Sequence, residues 1–323
     1  MHLRSHVAFN ADVPPKSDQH DENASQFPAT KLPTEKSELE TPHSRPFLKW
    51  AGGKTQLLSQ LAPFYPAKGS VKRYIEPFLG SGAVFFHFKA MVEPKSAILW
   101  DNNRELIQTF RAVSDKVEEV IDLLHEHEKL HSKDHFLEMR VKKSRKLPEI
   151  AARLIYLNKT CFNGLYRVNS RGEFNVPLGN YPKPSILNEE GLRRASRQLA
   201  AAQIEERDFR MVLSVAEEGD FIYFDPPYHP RSETAYFTSY TRDSFGEKDQ
   251  KELAEVYRAL DKKGCLLMLS NSDTHFVRQL YKGFKKVEVN ARRNINSRAD
   301  RRGPIKERLI VNEKLLEACR GRR

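Results

Sequence analysis

The apolar run Phe221–Phe224, which leads directly into Asp225-Pro226-Pro227-Tyr228, constrains the fold of this chain more than any other feature. Four consecutive large apolar residues predict a buried strand, and the prolines end it because they have no backbone N–H to donate. The carbonyl groups of this turn are then free to accept hydrogen bonds from a ligand. A carboxylate, two carbonyl groups and an aromatic ring meet there, which favours a site for the exocyclic amine of a nucleobase; a plain strand-ending turn is the alternative.

Strand-like and helix-like segments alternate along most of the chain. Besides 221–224, strands are predicted at 73–76, 97–100, 203–207, 265–269, 286–289 and 308–311. Helices are predicted at 83–91, 104–113, 189–201 and 248–260. This alternation predicts an α/β fold built on a doubly wound, mostly parallel sheet.

Two segments do not follow this alternation. Residues 115–200 contain long charged helical stretches and a Gly/Asn-rich part, which predicts an inserted domain of helices and a hairpin. The main domain is then expected at 45–114 and 201–323. Residues 1–44 hold five prolines and no periodic apolar pattern, so we expect a disordered or loosely attached extension.

The charge of the chain is positive and unevenly distributed. The net charge is +11 overall and −3 in residues 1–44, which leaves +14 for the rest. Such basicity favours a polyanionic partner with a phosphate backbone, although a merely basic protein is the alternative.

Cysteine usage and hydropathy indicate a reducing intracellular compartment. The three cysteines lie far apart and form no CxxC pair, so neither a disulfide framework nor a zinc site is predicted. No apolar stretch approaches the roughly 20 residues that span a bilayer, and no membrane is expected as a partner. We therefore expect a cytoplasmic protein that associates with the nucleoid through DNA.

Side chains suited to a nucleoside follow the predicted strands. The turn Glu76-Pro77-Phe78-Leu79-Gly80-Ser81-Gly82 allows close backbone approach to a ligand. Asp101 ends the next strand, where an acid can bind both ribose hydroxyls. Asp208 ends another strand and is placed to accept a hydrogen bond from an adenine amino group. No pyrophosphate-binding pattern is present, which favours a nucleoside without phosphates.

The segment 47–55, FLKWAGGKT, is similar to a phosphate-binding P-loop at its end. A P-loop needs glycine where Leu48 stands, so an ATPase is not favoured. We expect instead that Trp50 packs on a bound cofactor and that the Lys54 ammonium meets its carboxylate. A cofactor with a carboxylate and an adenosine but no phosphates is S-adenosylmethionine.

Three histidines, His127, His131 and His135, recur at every fourth residue. This spacing predicts one face of a helix, where a metal would need carboxylate ligands from elsewhere. Their charged neighbours indicate a solvated polar face, and no metal is expected.

These segments, in this order, resemble the Dam-like family of DNA adenine-N6 methyltransferases of the DPPY class over about residues 45–312. The resemblance rests on FLKWAGGK at 47–54, EPFLGSG at 76–82, LWDNN at 99–103, NGLYRVNSRGEFNVPLGNY at 163–181, DPPY at 225–228, FTSY at 237–240 and LSNSDT at 269–274. It implies an S-adenosylmethionine-dependent methyltransferase sheet with the target-recognition domain inserted before the DPPY strand. We expect a monomer or weak dimer, in restriction–modification or in DNA replication and repair.

The resemblance also implies roles for individual residues. The implied cofactor-binding residues are Trp50, Lys54, Phe78, Gly80, Gly82, Asp101, Asp208 and Asp225. Those implied to hold the target adenine are Asp225, Pro226, Pro227 and Tyr228. The base must be flipped out of the duplex to reach this turn. Cytosine-N4 methylation is the alternative reaction, but it usually has serine where Asp225 stands, and a non-catalytic DNA-binding module is the alternative from another class.

The hairpin at 161–181 carries the expected contacts to double-stranded DNA. Arg167 can pair with O6 and N7 of guanine, and Leu165 and Pro177 suit a thymine methyl group. Phe162, which stands where the family commonly has tyrosine, could wedge into the base stack, and Asn163 could pair with the base left behind. In the family that the chain resembles, these positions, with Lys49 and Tyr181, recognise GATC, so the resemblance implies GATC as the target; an ordinary exposed hairpin is the alternative. The basic run at 292–302 is a further candidate for phosphate contact.

Overall fold

The computed structural model describes residues 45–50, 52–230, 245–292 and 304–320. The predicted extension at 1–44, the FTSY segment at 237–240 and nearly all of the basic run at 292–302 lie outside these residues. The predicted strands, the hairpin and the turn after Phe224 lie within them.

Seven strands form one sheet within the described ranges, and its order confirms the predicted fold class. The strands are β1 (Arg73–Glu76), β2 (Ser96–Asp101), β3 (Ala202–Glu206), β4 (Phe221–Phe224), β5 (Leu266–Ser272), β6 (Lys285–Arg292) and β7 (Pro304–Val311). Their order is β3-β2-β1-β4-β5-β7-β6. Strands β1 to β5 pair in parallel, whereas β7 runs antiparallel between β5 and β6.

Helices connect these strands. They are α1 (Leu58–Leu61), α2 (Ala83–Val92), α3 (Arg104–Asp115), α4 (Val117–Lys129), α5 (Lys133–Val141), α6 (Leu147–Thr160), α7 (Glu189–Leu199), α8 (Val212–Val215), α9 (Glu247–Lys263), α10 (His275–Leu280) and α11 (Glu313–Arg320). None of the helices in the described ranges is long and apolar enough to cross a membrane.

Strand β4 lies in the middle of the sheet and is covered on both faces. Phe221 and Tyr223 belong to one core cluster, and Ile222 and Phe224 to the other. All four side chains are buried, because helices pack on both sides of a parallel sheet. The strand therefore presents its polar end, Asp225, at the carboxyl edge of the sheet, where ligands of such folds bind.

The predicted recognition segment shares the core of the main domain. Phe136 of α5 and Leu154 of α6 belong to the same buried cluster as Phe110 of α3 and Tyr74 of β1. The boundaries at 115 and 200 stay a prediction. The shared core means that helices of the recognition segment pack together with the main domain.

The prediction for the three histidines was wrong. Helix α4 ends at Lys129, so His127, His131 and His135 do not lie on one helix face. His127 Nδ1 is 3.0 Å from His135 Nε2, and His131 Nδ1 is 2.9 Å from the Tyr156 hydroxyl. They pack around a buried tyrosine of α6 instead of facing solvent. Among the described residues, no group of three His, Cys, Asp or Glu side chains is placed to hold a metal ion.

Candidate active site

Two buried side chains hold the turn after β4 in place through hydrogen bonds. The Gln250 amide of α9 donates to the Pro227 carbonyl at 2.8 Å, and Asn271 of β5 donates to the Gln250 side-chain oxygen at 3.0 Å. Gln250 is 1% exposed and Asn271 is fully buried. None of the described residues donates a hydrogen bond to the Pro226 carbonyl. The turn is thus held at Pro227.

An ion pair joins the turn to the segment that precedes α1. Lys54 Nζ lies 2.7 Å from Asp225 Oδ1 and donates to the Gly52 carbonyl, also at 2.7 Å. The lysine is 5% exposed and the Asp225 side chain 18%. The sequence analysis expected the Lys54 ammonium to meet the carboxylate of a cofactor. In the structure its partner is the carboxylate of Asp225, which supplies the counter-charge that a buried ammonium needs.

Tyr228 stands over this ion pair. Its hydroxyl donates to Glu307 of β7 at 2.6 Å, and its ring centroid lies 4.7 Å from Lys54 Nζ. The hydroxyl bond fixes the plane of the ring beside Asp225. An anchored aromatic ring of this kind can stack on a base without losing much conformational freedom.

The carboxyl group of Asp225 has a pKa close to neutral pH. Desolvation by burial raises the pKa of its carboxyl group to about 6, although the Lys54 ammonium acts in the opposite direction. The carboxylate of Glu307 raises this pKa further. Asp225 is therefore mostly ionised at neutral pH and mostly protonated below about pH 5.

The glycine-rich turn after β1 packs closely against Trp50. A Cβ atom on Gly80, whose φ is +50°, would lie 3.1 Å from Trp50 Cδ1. A Cβ on Gly82, whose φ is +70°, would lie 3.2 Å from both Phe86 and Phe110. Gly80 thus allows the Trp50 ring to approach the backbone. Gly82 was expected to allow close approach of a ligand. In the structure it makes room for the buried rings of Phe86 and Phe110.

A small cleft between this turn and Asp225 is rich in acidic groups. Its lining includes Trp50, Lys54, Glu76, Ser81 and Asp225, and its empty volume is about 250 Å³. Burial raises the pKa of the Glu76 carboxyl well above its ordinary value. Among the described lining residues, Lys54 supplies the positive charge. A cationic ligand would be favoured here because it stabilises the ionised carboxylates.

Asp101 occupies the carboxyl end of β2, as expected. Its two carboxylate oxygens accept hydrogen bonds from the backbone N–H groups of Gly80 at 3.0 Å and Asn103 at 2.9 Å. Burial raises the pKa of this carboxyl group as well. Each carboxylate oxygen has a second lone pair, so Asp101 retains capacity to bind a pair of hydroxyl groups.

Three aromatic rings lie beyond the carboxyl ends of β1 and β4. Phe78 stacks on Phe209 with ring centroids 5.4 Å apart, and its edge meets Phe245 at 5.6 Å. The half-buried Phe78 was expected near the cofactor, whereas the two other rings were not identified from the sequence. Together they form an apolar surface suited to a planar base.

Asp208 lies two residues beyond β3 and pairs with Arg210. Strand β3 ends at Glu206, and the Asp208 carboxylate caps the following turn by accepting from the Arg210 N–H at 2.9 Å. It also forms an ion pair with the Arg210 guanidinium at 2.7 Å, and its side chain is 50% exposed. Arg210 therefore engages the carboxylate that was expected to accept from adenine.

The segment 161–181 forms the predicted hairpin. Antiparallel bridges join Cys161 to Leu178 and Val168 to Phe174. Gly172 takes up the turn with φ +74°. The exposed side chains include the expected DNA contacts Phe162, Arg167 and Pro177, whereas Leu165 is half-buried. Arg167 is held by Asn175, whose side-chain oxygen accepts from Arg167 Nε at 2.6 Å.

Lys49 and the hairpin are joined by Asn158 of α6. The Asn158 side chain accepts from the Lys49 N–H at 2.8 Å and donates to the Lys49 and Gly164 carbonyl groups at 2.8 and 2.9 Å. The Asn163 N–H donates to the Tyr181 hydroxyl at 3.0 Å, and Lys49 Nζ lies 5.5 Å from the Tyr181 ring. The structure therefore brings three of the expected DNA contacts, Lys49, Asn163 and Tyr181, into one cluster.

A sequence model of the family described as the D12 class of N6 adenine-specific DNA methyltransferases matches residues 50–295 of this chain. The match covers the cleft, the hairpin and the turn after β4. The chain belongs to this class of methyltransferase. Its reaction is therefore methylation of DNA at adenine N6, which requires a methyl donor.

Relatives of this methyltransferase match along most of both chains. The Type II methyltransferase M.MjaIII of Methanocaldococcus jannaschii is 43% identical over 291 residues, which are 83% of this chain and 99% of that protein. The Type II methyltransferase M1.LlaDCHI of Lactococcus lactis subsp. cremoris is 40% identical, over 83% of this chain and 95% of that protein. The DNA adenine methylase of Escherichia coli K12 is 34% identical, with the same coverage of 83% and 95%.

Sequence reasoning did not identify several residues that organise the site of this methyltransferase. Glu76 could have been found, because it ends a predicted strand as Asp101 and Asp225 do. Gln250 and Asn158 are buried amides within helices, and Glu307 lies on a strand. No pattern in the sequence shows which distant backbone group such side chains will contact.

Proposed function

We propose that this enzyme transfers a methyl group from S-adenosylmethionine to N6 of an adenine flipped out of a GATC site in duplex DNA. The acidic cleft beside Asp225 carries this proposal. The cofactor has an ammonium and a sulfonium group, and both positive charges suit a cleft in which two buried carboxyl groups, those of Glu76 and Asp225, share the single ammonium of Lys54. Glu76 and Asp225 would face these charges, and Asp101 would bind the ribose.

The adenine ring of the cofactor would pack against aromatic side chains at the edge of the sheet. Phe78, Phe209 and Phe245 offer a surface for the cofactor's adenine ring, and Trp50 closes the cleft near Gly80. We propose that Asp208 accepts a hydrogen bond from the adenine amino group, since its half-exposed carboxylate keeps lone pairs that Arg210 does not use.

The turn after β4 would activate the target nitrogen. The lone pair of adenine N6 is delocalised into the ring, which makes N6 a poor nucleophile. Hydrogen bonds from N6–H to the Asp225 carboxylate and the Pro226 carbonyl would favour tetrahedral geometry and localise the lone pair. The bound cofactor supplies an activated methyl group. Flipping the base costs a few kcal/mol, and stacking on Tyr228 would return about 1–3 kcal/mol.

Sequence recognition would come from the hairpin and Lys49. Arg167 is exposed and would exchange its bond with Asn175 for a bidentate pair with guanine, which contributes about 1–3 kcal/mol of discrimination. Leu165 and Pro177 would contact the thymine methyl group, Phe162 would enter the stack, and Lys49 would contact the outer base.

Methyl transfer from labelled S-adenosylmethionine to two duplexes, identical except for GATC and GTTC, tests the proposal. We expect label in the first duplex alone, recovered as N6-methyladenine. Equal labelling of both duplexes would reject the sequence specificity assigned to the hairpin, but it would still support methyl transfer from S-adenosylmethionine to DNA. Label in neither duplex, with DNA still bound, would reject S-adenosylmethionine as the donor for this site.

The activity should fall with acidification because Asp225 must be ionised to accept from N6–H. With a pKa of about 6, the ionised fraction of Asp225 is about tenfold smaller at pH 5 than at pH 7. We therefore expect the apparent kcat/KM for DNA, measured with DNA and cofactor both well below saturation so that it reports the free enzyme, to decline about tenfold over this interval and to level off above about pH 7. Measurement of DNA binding over the same interval is the control, and a flat kcat/KM profile would contradict the assignment.

A further inference from the structure

Tyr166 belongs to the recognition hairpin by sequence, but its side chain contacts the cofactor-site residues. The residue directly precedes Arg167. Its ring stacks on Trp50 with centroids 5.2 Å apart and an interplanar angle of 25°. Trp50 in turn packs on Gly80. A continuous stack therefore leads from the hairpin to the glycine-rich turn of the cleft.

The hydroxyl of Tyr166 is tied to the start of α3. It donates to Glu105 Oε2 at 2.9 Å, in the first turn of α3. The backbone N–H of Asn103, just before this helix, is bound by the Asp101 carboxylate. The tyrosine is thus joined to the Trp50 side of the proposed cofactor site through its ring, and through its hydroxyl to the start of α3, the helix that follows Asp101 along the chain.

Glu105 is a rigid anchor for this hydroxyl. Its other carboxylate oxygen pairs with Arg153 of α6 at 2.6 Å. Arg153 also donates to the carbonyl groups of Met139 at 2.6 Å and Arg140 at 2.8 Å, near the end of α5. The Arg153 side chain is 12% exposed and that of Glu105 24%. Three helices therefore meet at the point where Tyr166 is attached.

The neighbouring Arg167 must change partners when it reads DNA. Its guanidinium bonds the Asn175 side chain and carbonyl group, and its own carbonyl accepts from the Asn175 N–H at 3.0 Å. A bidentate contact with guanine uses the same guanidinium nitrogens. Tyr166 and Arg167 are adjacent in the hairpin, so a DNA contact that fixes Arg167 also restrains the backbone that positions Tyr166.

We propose that Tyr166 is a positioning residue that couples recognition of the target sequence to binding of the cofactor. The inference rests on the proposed function of the hairpin and the cleft. When Arg167 engages its base, the hairpin fixes Tyr166 against Trp50 and Glu105, and the cleft is held in the form that binds the cofactor. By linkage, the cofactor must then strengthen binding of the recognised DNA by the same factor.

Equilibrium dialysis with labelled S-adenosylhomocysteine tests the coupling without turnover. The full-length protein is titrated alone, with a GATC duplex and with an AATT duplex, which keeps the adenines and removes the guanines. The variants are Tyr166→Phe, which keeps the ring, and Tyr166→Leu, which removes the stack. The control is Tyr281→Phe, because the buried Tyr281 hydroxyl has no hydrogen-bond partner among the described residues.

The readout is the ratio of the dissociation constants without and with GATC DNA, which a uniform loss of folding would leave unchanged. We expect the wild type and Tyr281→Phe to bind at least about fivefold more tightly with GATC than without DNA, and to gain less with AATT. Tyr166→Leu should lower this ratio to about one, and Tyr166→Phe should give an intermediate value.

Two results would overturn the inference. One is a Tyr166→Leu ratio equal to that of the wild type, and the other is a wild type that binds the cofactor equally well with and without DNA. Both leave the proposed function intact. A wild type that binds no S-adenosylhomocysteine, or that does not methylate GATC, would reject the proposed function and the coupling together.

Discussion

Replacement of Asp225 by alanine is expected to reduce the rate of methyl transfer by about 10²–10³-fold. The change removes the carboxylate that accepts from N6–H, an interaction that strengthens as the nitrogen becomes tetrahedral. Because this interaction acts mainly in the transition state, kcat should fall more than the affinity for DNA. Single-turnover kinetics at saturating DNA and cofactor measure this loss directly.

The same change should lower the stability of the protein, since Lys54 is buried and pairs with Asp225. An ammonium left without its partner costs about 1–3 kcal/mol or more. The double variant Asp225→Asn with Lys54→Met is the matched control, because it removes both charges. We expect it to recover much of the free energy of unfolding while remaining inactive. Activity of Asp225→Ala within tenfold of the wild type would contradict the proposed role.

Replacement of Asn158 by alanine is expected to lower the free energy of unfolding by about 2–3 kcal/mol. The Asn158 side chain, 1% exposed, satisfies the N–H and carbonyl groups of Lys49 and the carbonyl group of Gly164. All three backbone groups lose a partner when the amide is removed. Denaturant unfolding of the two proteins gives the difference.

Asn158→Ala should also weaken the discrimination between GATC and GTTC duplexes. Lys49 lies against Gly164 so closely that a Cβ atom there would be 2.6 Å from Lys49 Cδ. Loss of the amide allows these two parts of the proposed DNA interface to separate. Asn180→Ala, an exposed asparagine of the same segment, is the control and should change stability by less than about 0.5 kcal/mol. An unchanged free energy of unfolding in Asn158→Ala would show that the amide does not hold the interface.

The elements that could be predicted are those with a strong local pattern. Strand β4 was predicted with its correct bounds, because four large apolar residues stand between polar residues and two prolines. Strand β5 was predicted to end at Leu269 but continues to Ser272. Its last residues are polar, and they remain in the sheet because they pair with β7. Periodicity does not reveal such pairing with a distant strand.

The surroundings of a polar side chain depend on which partners lie near it. Asp208 follows a strand as Asp101 does, but Arg210 lies close enough to engage its carboxylate. His127 and His135 share a spacing that fits one helix, but the helix ends between them and both rings turn to Tyr156. Arg210 is close to Asp208 along the chain, whereas Tyr156 reaches the two histidines only through the fold.

The sequence by itself determined the fold class, the family and the residue types at the carboxyl ends of the strands. These properties depend on short stretches of sequence, because the spacing of apolar residues and the positions of glycine and proline influence the backbone only within a few residues. Only the tertiary structure decided which of these groups meet. Lys54 with Asp225, Asn158 with Lys49 and Tyr166 with Trp50 are contacts between separate elements. Their partners are chosen by packing and by the cost of leaving a buried polar group unpaired, and both depend on the whole fold.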